Sequence, residues 1–165
     1  MHTDVLRFAA IDPGGLERLL QRWGLQLRVV AAGDDIPGSF WGEEEAGLIA
    51  DSLYVRPDTQ VHSALHEACH FICMSADRRA GLHTDAGGGY DEENGVCFLQ
   101  ILMAEHIPDM GMARMLHDMD AWGYSFRLGS ARAWFEQDAV DARQWLTDHG
   151  LLGDGGQLTF RLRAV

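Results

Sequence analysis

One stretch constrains this chain more than any other: Val61 to Cys73, reading V-H-S-A-L-H-E-A-C-H-F-I-C. Val61, Leu65, Ala68 and Ile72 recur at helical spacing, and no Gly or Pro interrupts the run from Gln60 to Ala80. Asp58 or Thr59 can cap its start, so the pattern predicts a helix over this run.

Within that helix lies H-E-x-x-H. His66 and His70 are four residues apart, which places both imidazoles on one face, one turn apart, where they can grip a single ion. Zn²⁺ suits such a pair, with nitrogen ligands at about 2.0–2.1 Å. Glu67 is rotated about 100° from His66. It is therefore not an equivalent ligand, but it can meet a water on the metal as a general base. The plainer alternative is a buried helix whose histidines only pack or hydrogen-bond.

Two histidines leave the shell of one Zn²⁺ ion incomplete, and a carboxylate from a separate helix would close it while keeping a position for water. Such a helix is predicted from Glu92 to about His106, capped by Asp91 and ended by Pro108. Glu92 shares its side with Val96, Leu99 and Met103, the buried side, whereas Glu93 lines up with Cys97, Gln100 and Ala104, a milder face. A carboxylate over apolar neighbours is costly unless something positive awaits it, so Glu92 is the preferred third ligand and Glu93 the alternate. Both glutamates would also favour the positive end of the helix dipole without any metal.

Composition narrows the function classes. Lys and Arg number 13 against 25 Asp and Glu, a net charge of −12 that would repel phosphate backbones and disfavours direct nucleic-acid binding. At 165 residues with 47% hydrophobic content, the chain fits a single domain, residues 1–165. Its parts are an N-terminal helix and sheet (1–60), the metal-site helices (61–107) and C-terminal helices (108–165). No apolar run approaches the roughly 20 residues of a membrane span, and the N-terminus does not resemble a secretory signal, so a cytoplasmic location is expected. The sequence carries no signal for an oligomeric state. The three cysteines, Cys69, Cys73 and Cys97, show no disulfide spacing. Cys69 and Cys73 flank His70 and could offer thiolates, although Cys is most often a small buried hydrophobe.

Elsewhere the signals are structural. Asp12-Pro13 opens a helix carrying Leu16, Leu19, Leu20 and Trp23 on one face until Gly24 stops it. Leu25, Leu27 and Val29 alternate with polar residues as a strand with one buried face. Short strands follow at Ser39–Gly42, Gly47–Ala50 and Leu53–Val55, with Glu43-Glu44-Glu45 a solvated turn. The expected fold is α+β: a small, mainly antiparallel sheet packed on the H-E-x-x-H helix and further helices. An extended peptide could add to the edge of that sheet. The glycine-rich run from Gly81 to Tyr90 lacks phosphate-loop spacing and reads as tight turns. Met112–Trp122 and Ser130–Gly150 are predicted as two amphipathic helices and Gln157–Val165 as a short strand, and His106, His117 and His149 receive no role.

His66, Glu67, His70 and a downstream glutamate together resemble the zincin metallopeptidases whose third ligand is Glu, and within them the small ImmA/IrrE-like group. There, short strands precede H-E-x-x-H, and a helix begins with the ligand glutamate and continues with Phe and a Leu pair. Glu92, Phe98, Leu102 and Met103 occupy those places here. The similarity spans about residues 47–105, and Cys69, Gly95-Val96 and Ala104 stand where that group usually carries Gly, Ala-Asn and Pro.

The resemblance implies hydrolysis of a peptide or related amide by metal-activated water, with Glu67 moving the proton and a peptide or protein as substrate. Tyr90, His83 and Tyr124 are candidate donors to the oxyanion. Two other functions remain open: a regulatory or binding module on the same scaffold with a non-catalytic metal site, and a helical interaction domain in which H-E-x-x-H is fortuitous.

Overall fold

The structure is a computed structural model that describes residues 4–39, 43–83 and 86–165. Asp12 accepts from the Gly14 amide at 3.0 Å and Pro13 takes the first helical position, so α1 (Pro13–Arg22) starts where local chemistry requires. Its Leu16, Leu19 and Leu20 are buried, and Gly24, at φ 80°, turns the chain into β1 (Gln26–Val29). β2 (Gly47–Ile49) and β3 (Ser52–Val55) form an antiparallel hairpin, while β1 runs parallel to β3, with Gln26 opposite Ser52 and Val29 opposite Val55.

The sheet order is thus β1-β3-β2, and the sheet is mixed rather than mainly antiparallel. The long connection after β1 lets the chain return in the same sense, which a tight hairpin cannot do. The expected buried face of β1 fades along the strand: Leu25 is fully buried just before it, Leu27 is partly buried, and Val29 is 54% exposed on this outer strand. Of the strand expected at Ser39–Gly42, Ser39 makes an isolated bridge to Gly47, and residues 40–42 lie outside the described residues.

The H-E-x-x-H helix is α2 (Val61–Cys73), packed between the sheet and a later helix and buried along nearly all its length. Neither anticipated residue caps it. Thr59 Oγ1 accepts from the Arg56 amide at 2.8 Å, Asp58 pairs with the Arg56 guanidinium, and Gln60 holds the cap position. Nor does the helix run unbroken to Ala80. The chain becomes extended at Met74 and Ser75, and Ser75 caps a short α3 (Ala76–Ala80) by accepting from the Arg78 amide. Ser75 offers the backbone a local alternative to helix, a competition that periodicity does not register.

α4 (Tyr90–Ala104) begins at a Gly89 cap, with Asp91 inside its first turn rather than before it. It packs against α2, α5 (Gly111–Trp122) and α7 (Val140–Asp148), which is why it is apolar round much of its circumference. Gly95 permits the last of these contacts, since a Cβ there would sit 2.7 Å from Trp145 Cε3. The single helix expected over Ser130–Gly150 is two, α6 (Ala131–Gln137) and α7, parted at Asp138 and Ala139.

The terminal strand is also absent. After a lone bridge between Leu152 and Leu158, the chain crosses the end of α2: the Arg163 amide donates to Ile72 O at 3.1 Å, and the Ala76 amide donates to Ala164 O at 2.9 Å. No helix among the described residues is long and apolar enough to cross a membrane.

Candidate metal centre

α2 presents His62, His66 and His70 at successive turns toward a cleft of about 610 Å³, within the range of small-molecule sites. Glu67, Glu93, Glu45, Trp122 and Tyr124 line it too, and Ala86 to Gly88 form part of its rim. His66 and His70 meet edge to face, ring centroids 4.8 Å apart and planes at 84°.

The Glu93 carboxylate spans both rings. Its Oε1 lies 3.0 Å from His66 Nε2 and its Oε2 3.1 Å from His70 Nε2. Two overlapping sets of possible ligand atoms lie within 4.8 Å of one another: His66, Glu67 and His70, and His66, Glu93 and Cys97.

Glu92, the preferred residue from helix geometry, faces away from the histidines. It is buried, as its position over Val96 and Leu99 requires, but what awaits it is a pair of guanidiniums: Arg78 Nη1 and Nη2 at 2.7 Å each, and Arg163 Nη1 at 2.9 Å. The carboxylate that the structure brings to the two histidines is the alternate, Glu93. Its supposedly mild face of Cys97, Gln100 and Ala104 is buried throughout.

Gln100, unassigned from sequence, determines how His66 is oriented. Its Nε2 donates to the His62 carbonyl at 2.9 Å, so its Oε1 must be the atom 2.9 Å from His66 Nδ1. His66 therefore donates from Nδ1 and turns Nε2 toward Glu93. A neutral Nε2 lone pair facing a carboxylate at 3.0 Å is repulsive unless a positive charge stands between them, either a proton or a cation.

The electrostatics of the cleft follow that logic. Burial opposes the charged form of His66, but Tyr124, Cys97 and Glu93 outweigh it, and the pKa stands well above its ordinary value. Burial likewise opposes a charged Glu93, yet hydrogen bonds from His66 and His70 hold its carboxyl far below the usual range. Glu67 is shifted the other way, raised chiefly by burial, with His66 and His70 only partly offsetting it. His70 Nδ1 is buried with no hydrogen-bond partner among the described residues.

Of the oxyanion candidates, the described cleft lining includes Tyr124 and neither Tyr90 nor His83. Tyr90 is 79% exposed beside a separate smaller pocket, and His83 bridges to Ile49. The Tyr124 hydroxyl lies 3.1 Å from His62 Nδ1, and burial pushes its pKa up to about 12. From sequence His62 is assigned no role; its spacing, one turn before His66, is the signal that finds it.

Cys69 and Cys73 belong to the apolar core. Burial pushes both thiols well up, which makes them poor thiolate donors, and the Cys69 sulfur sits 3.5 Å from that of Met103. The sheet edge at β2 is already engaged by the chain itself, with Leu48 N donating to Gly38 O and Ala50 N to Leu82 O. An added peptide strand would have to displace those bonds. No family model, curated protein or solved structure matches this chain.

Proposed function

We propose that the cleft is the active centre of a zinc-dependent hydrolase of peptide or related amide bonds, of the zincin type that the H-E-x-x-H motif resembles. In this proposal His66, His70 and Glu93 hold one ion and Glu67 is the general base. The observation that carries the proposal is the convergence of two imidazole Nε2 atoms on the one carboxylate of Glu93 in an open cleft, with Glu67 beside them.

The donor set fits the metal. Two imidazole nitrogens and one carboxylate make a common three-residue catalytic shell, and the opposed His66 Nε2 and Glu93 carboxylate place a positive charge between them, a site that a cation can take in exchange for a proton. When bound, zinc supplies Lewis acidity, lowering the pKa of a water and polarising the scissile carbonyl. Gln100 holds the proton of His66 on Nδ1, so that Nε2 stays available. Glu67, with its pKa raised by burial, takes a proton from the attacking water onto a carboxylate oxygen and returns it to the leaving amine nitrogen. Tyr124 keeps its hydroxyl proton at neutral pH and can donate it in a hydrogen bond to the developing oxyanion.

The β2 edge is engaged by the chain itself, so a peptide that extended the sheet there would first have to displace those bonds. The test is cleavage of a peptide and amide library by zinc-loaded protein beside Glu67→Gln. The variant is expected to retain zinc and lose turnover by at least about 10². Equal turnover would remove Glu67 as the base, and protein that takes up no zinc would overturn the proposal.

A further inference from the structure

The side chain next to Glu93 in sequence is held by two distant parts of the chain. Arg78 of α3 grips Glu92 through both nitrogens, at 2.7 Å each, and Arg163 reaches the same carboxylate at 2.9 Å. Arg163 is itself anchored: its Nη1 donates to Cys73 O at 3.0 Å, its amide to Ile72 O, and its carbonyl accepts from Arg79 Nη2 at 2.7 Å. We infer that this clamp on Glu92 positions Glu93, making Arg163 and the segment around it a working part of the metal centre. The inference rests on the metal-site reading above.

The first turn of α4 is where such a clamp is needed. Its cap residue is Gly89, which has no side chain to bond the free amides, and it follows Gly87 and Gly88 at φ 64° and 104°. A turn so loosely begun frays unless something fixes its rotation about the helix axis. Neighbouring residues are about 100° apart round a helix. Pinning Glu92 against Arg78 and Arg163 therefore aims Glu93 toward α2. Release of the pin would let the turn roll or unwind and carry the carboxylate away from the two histidines.

The same clamp reaches the rim of the cleft. Arg78 Nη2 donates to Ala86 O at 2.7 Å, and a Cβ at Gly88 would lie 2.5 Å from Glu92 Oε2, so the loop closes over the ion pair only as glycine. Buried charges require such pairing, and here the partners come from α3, α4 and the segment beyond α7 at once.

The experiment uses the full chain, stripped of metal. Zn²⁺ affinity is measured by competition with a chromogenic chelator, and the Co²⁺ complex by its visible absorption, for wild type, Arg163→Ala and Arg163→Lys. Arg163→Ala is expected to weaken Zn²⁺ binding about tenfold and to alter the Co²⁺ bands, with Lys recovering part of both, a loss of the size seen when supporting contacts of metal ligands are removed. A mere loss of fold stability would leave the Co²⁺ spectrum of the folded fraction unchanged. Should Arg163→Ala not fold, Glu92→Gln carries the same expectation at reduced size. Wild type that binds Zn²⁺ while folded variants match its affinity and spectrum overturns the positioning role alone, whereas wild type that binds neither ion overturns the metal-site reading itself.

Discussion

Gln100 Oε1 stands 2.9 Å from His66 Nδ1, and the amide cannot turn over, because its other end is committed to the His62 carbonyl. A fully buried side chain on α4 thereby selects the tautomer of a histidine on α2. Gln100→Leu keeps similar bulk but leaves the Nδ1 proton without an acceptor, and zinc affinity is expected to fall roughly 10–100-fold. Gln100→Glu, which keeps an acceptor, should bind zinc more tightly than the Leu variant. Chelator competition decides the matter, and a Leu variant with wild-type affinity would end the role given to Gln100.

Glu93 and Glu92 make opposite predictions although they are adjacent. Glu93→Ala removes a half-exposed carboxylate, so it should cost the ion-free protein about 1 kcal/mol or less while zinc is lost at neutral pH. Glu92→Ala leaves the partly exposed Arg78 and Arg163 guanidiniums without their carboxylate, at a cost below the roughly 3–5 kcal/mol of breaking a fully buried pair, and weakens zinc without abolishing it. Thermal melts run beside metal analysis separate the two. Full zinc occupancy in Glu93→Ala would return the third ligand to Glu92 or elsewhere.

What the sequence disclosed depended on how far apart the interacting groups lie. α1 was legible because Asp12, Pro13 and Gly24 act within a few residues of themselves. Helix geometry also placed Glu92 on the buried side of α4. The identity of its partners was out of reach, since Arg78 and Arg163 lie 14 and 71 residues away along the chain. For the same reason the face of Glu93, Cys97 and Gln100 read as mild when it is the face laid against α2. The parallel pairing of β1 with β3 is likewise non-local, and alternation of side chains does not encode direction.

Gly95 tests the packing that brings α7 onto α4. Alanine there would gain up to about 1 kcal/mol in helix propensity. Its Cβ, however, would sit 2.7 Å from Trp145 Cε3, and overpacking of this kind costs about 1–3 kcal/mol. Gly95→Ala is expected to lower the melting temperature, and Gly95→Leu to lower it further. A melting temperature raised by alanine would show that Trp145 moves aside freely.

The ion-free protein should show a pH window of its own. Glu93 has a folded pKa depressed below its ordinary 4.5, so its stabilisation is present above that value and is lost as pH falls through the folded pKa. His66 has a folded pKa raised above its ordinary 6.5, so its contribution is fully present below 6.5 and is lost as pH rises through the folded pKa. Both are complete only between 4.5 and 6.5. Solvent screening of the half-exposed Glu93 holds the effect to about 1 kcal/mol or less, or about 2–4 °C in melting temperature. Subtracting the melting curve of Glu93→Gln from that of wild type isolates this contribution from other titrating groups. Zinc inverts the alkaline side, because it needs His66 Nε2 without its proton, so binding should release protons and tighten from pH 6 to 8. A wild-type advantage over Glu93→Gln in the ion-free state that keeps growing from pH 6.5 to 9 would mean that the carboxylate and the imidazolium do not stabilise each other there.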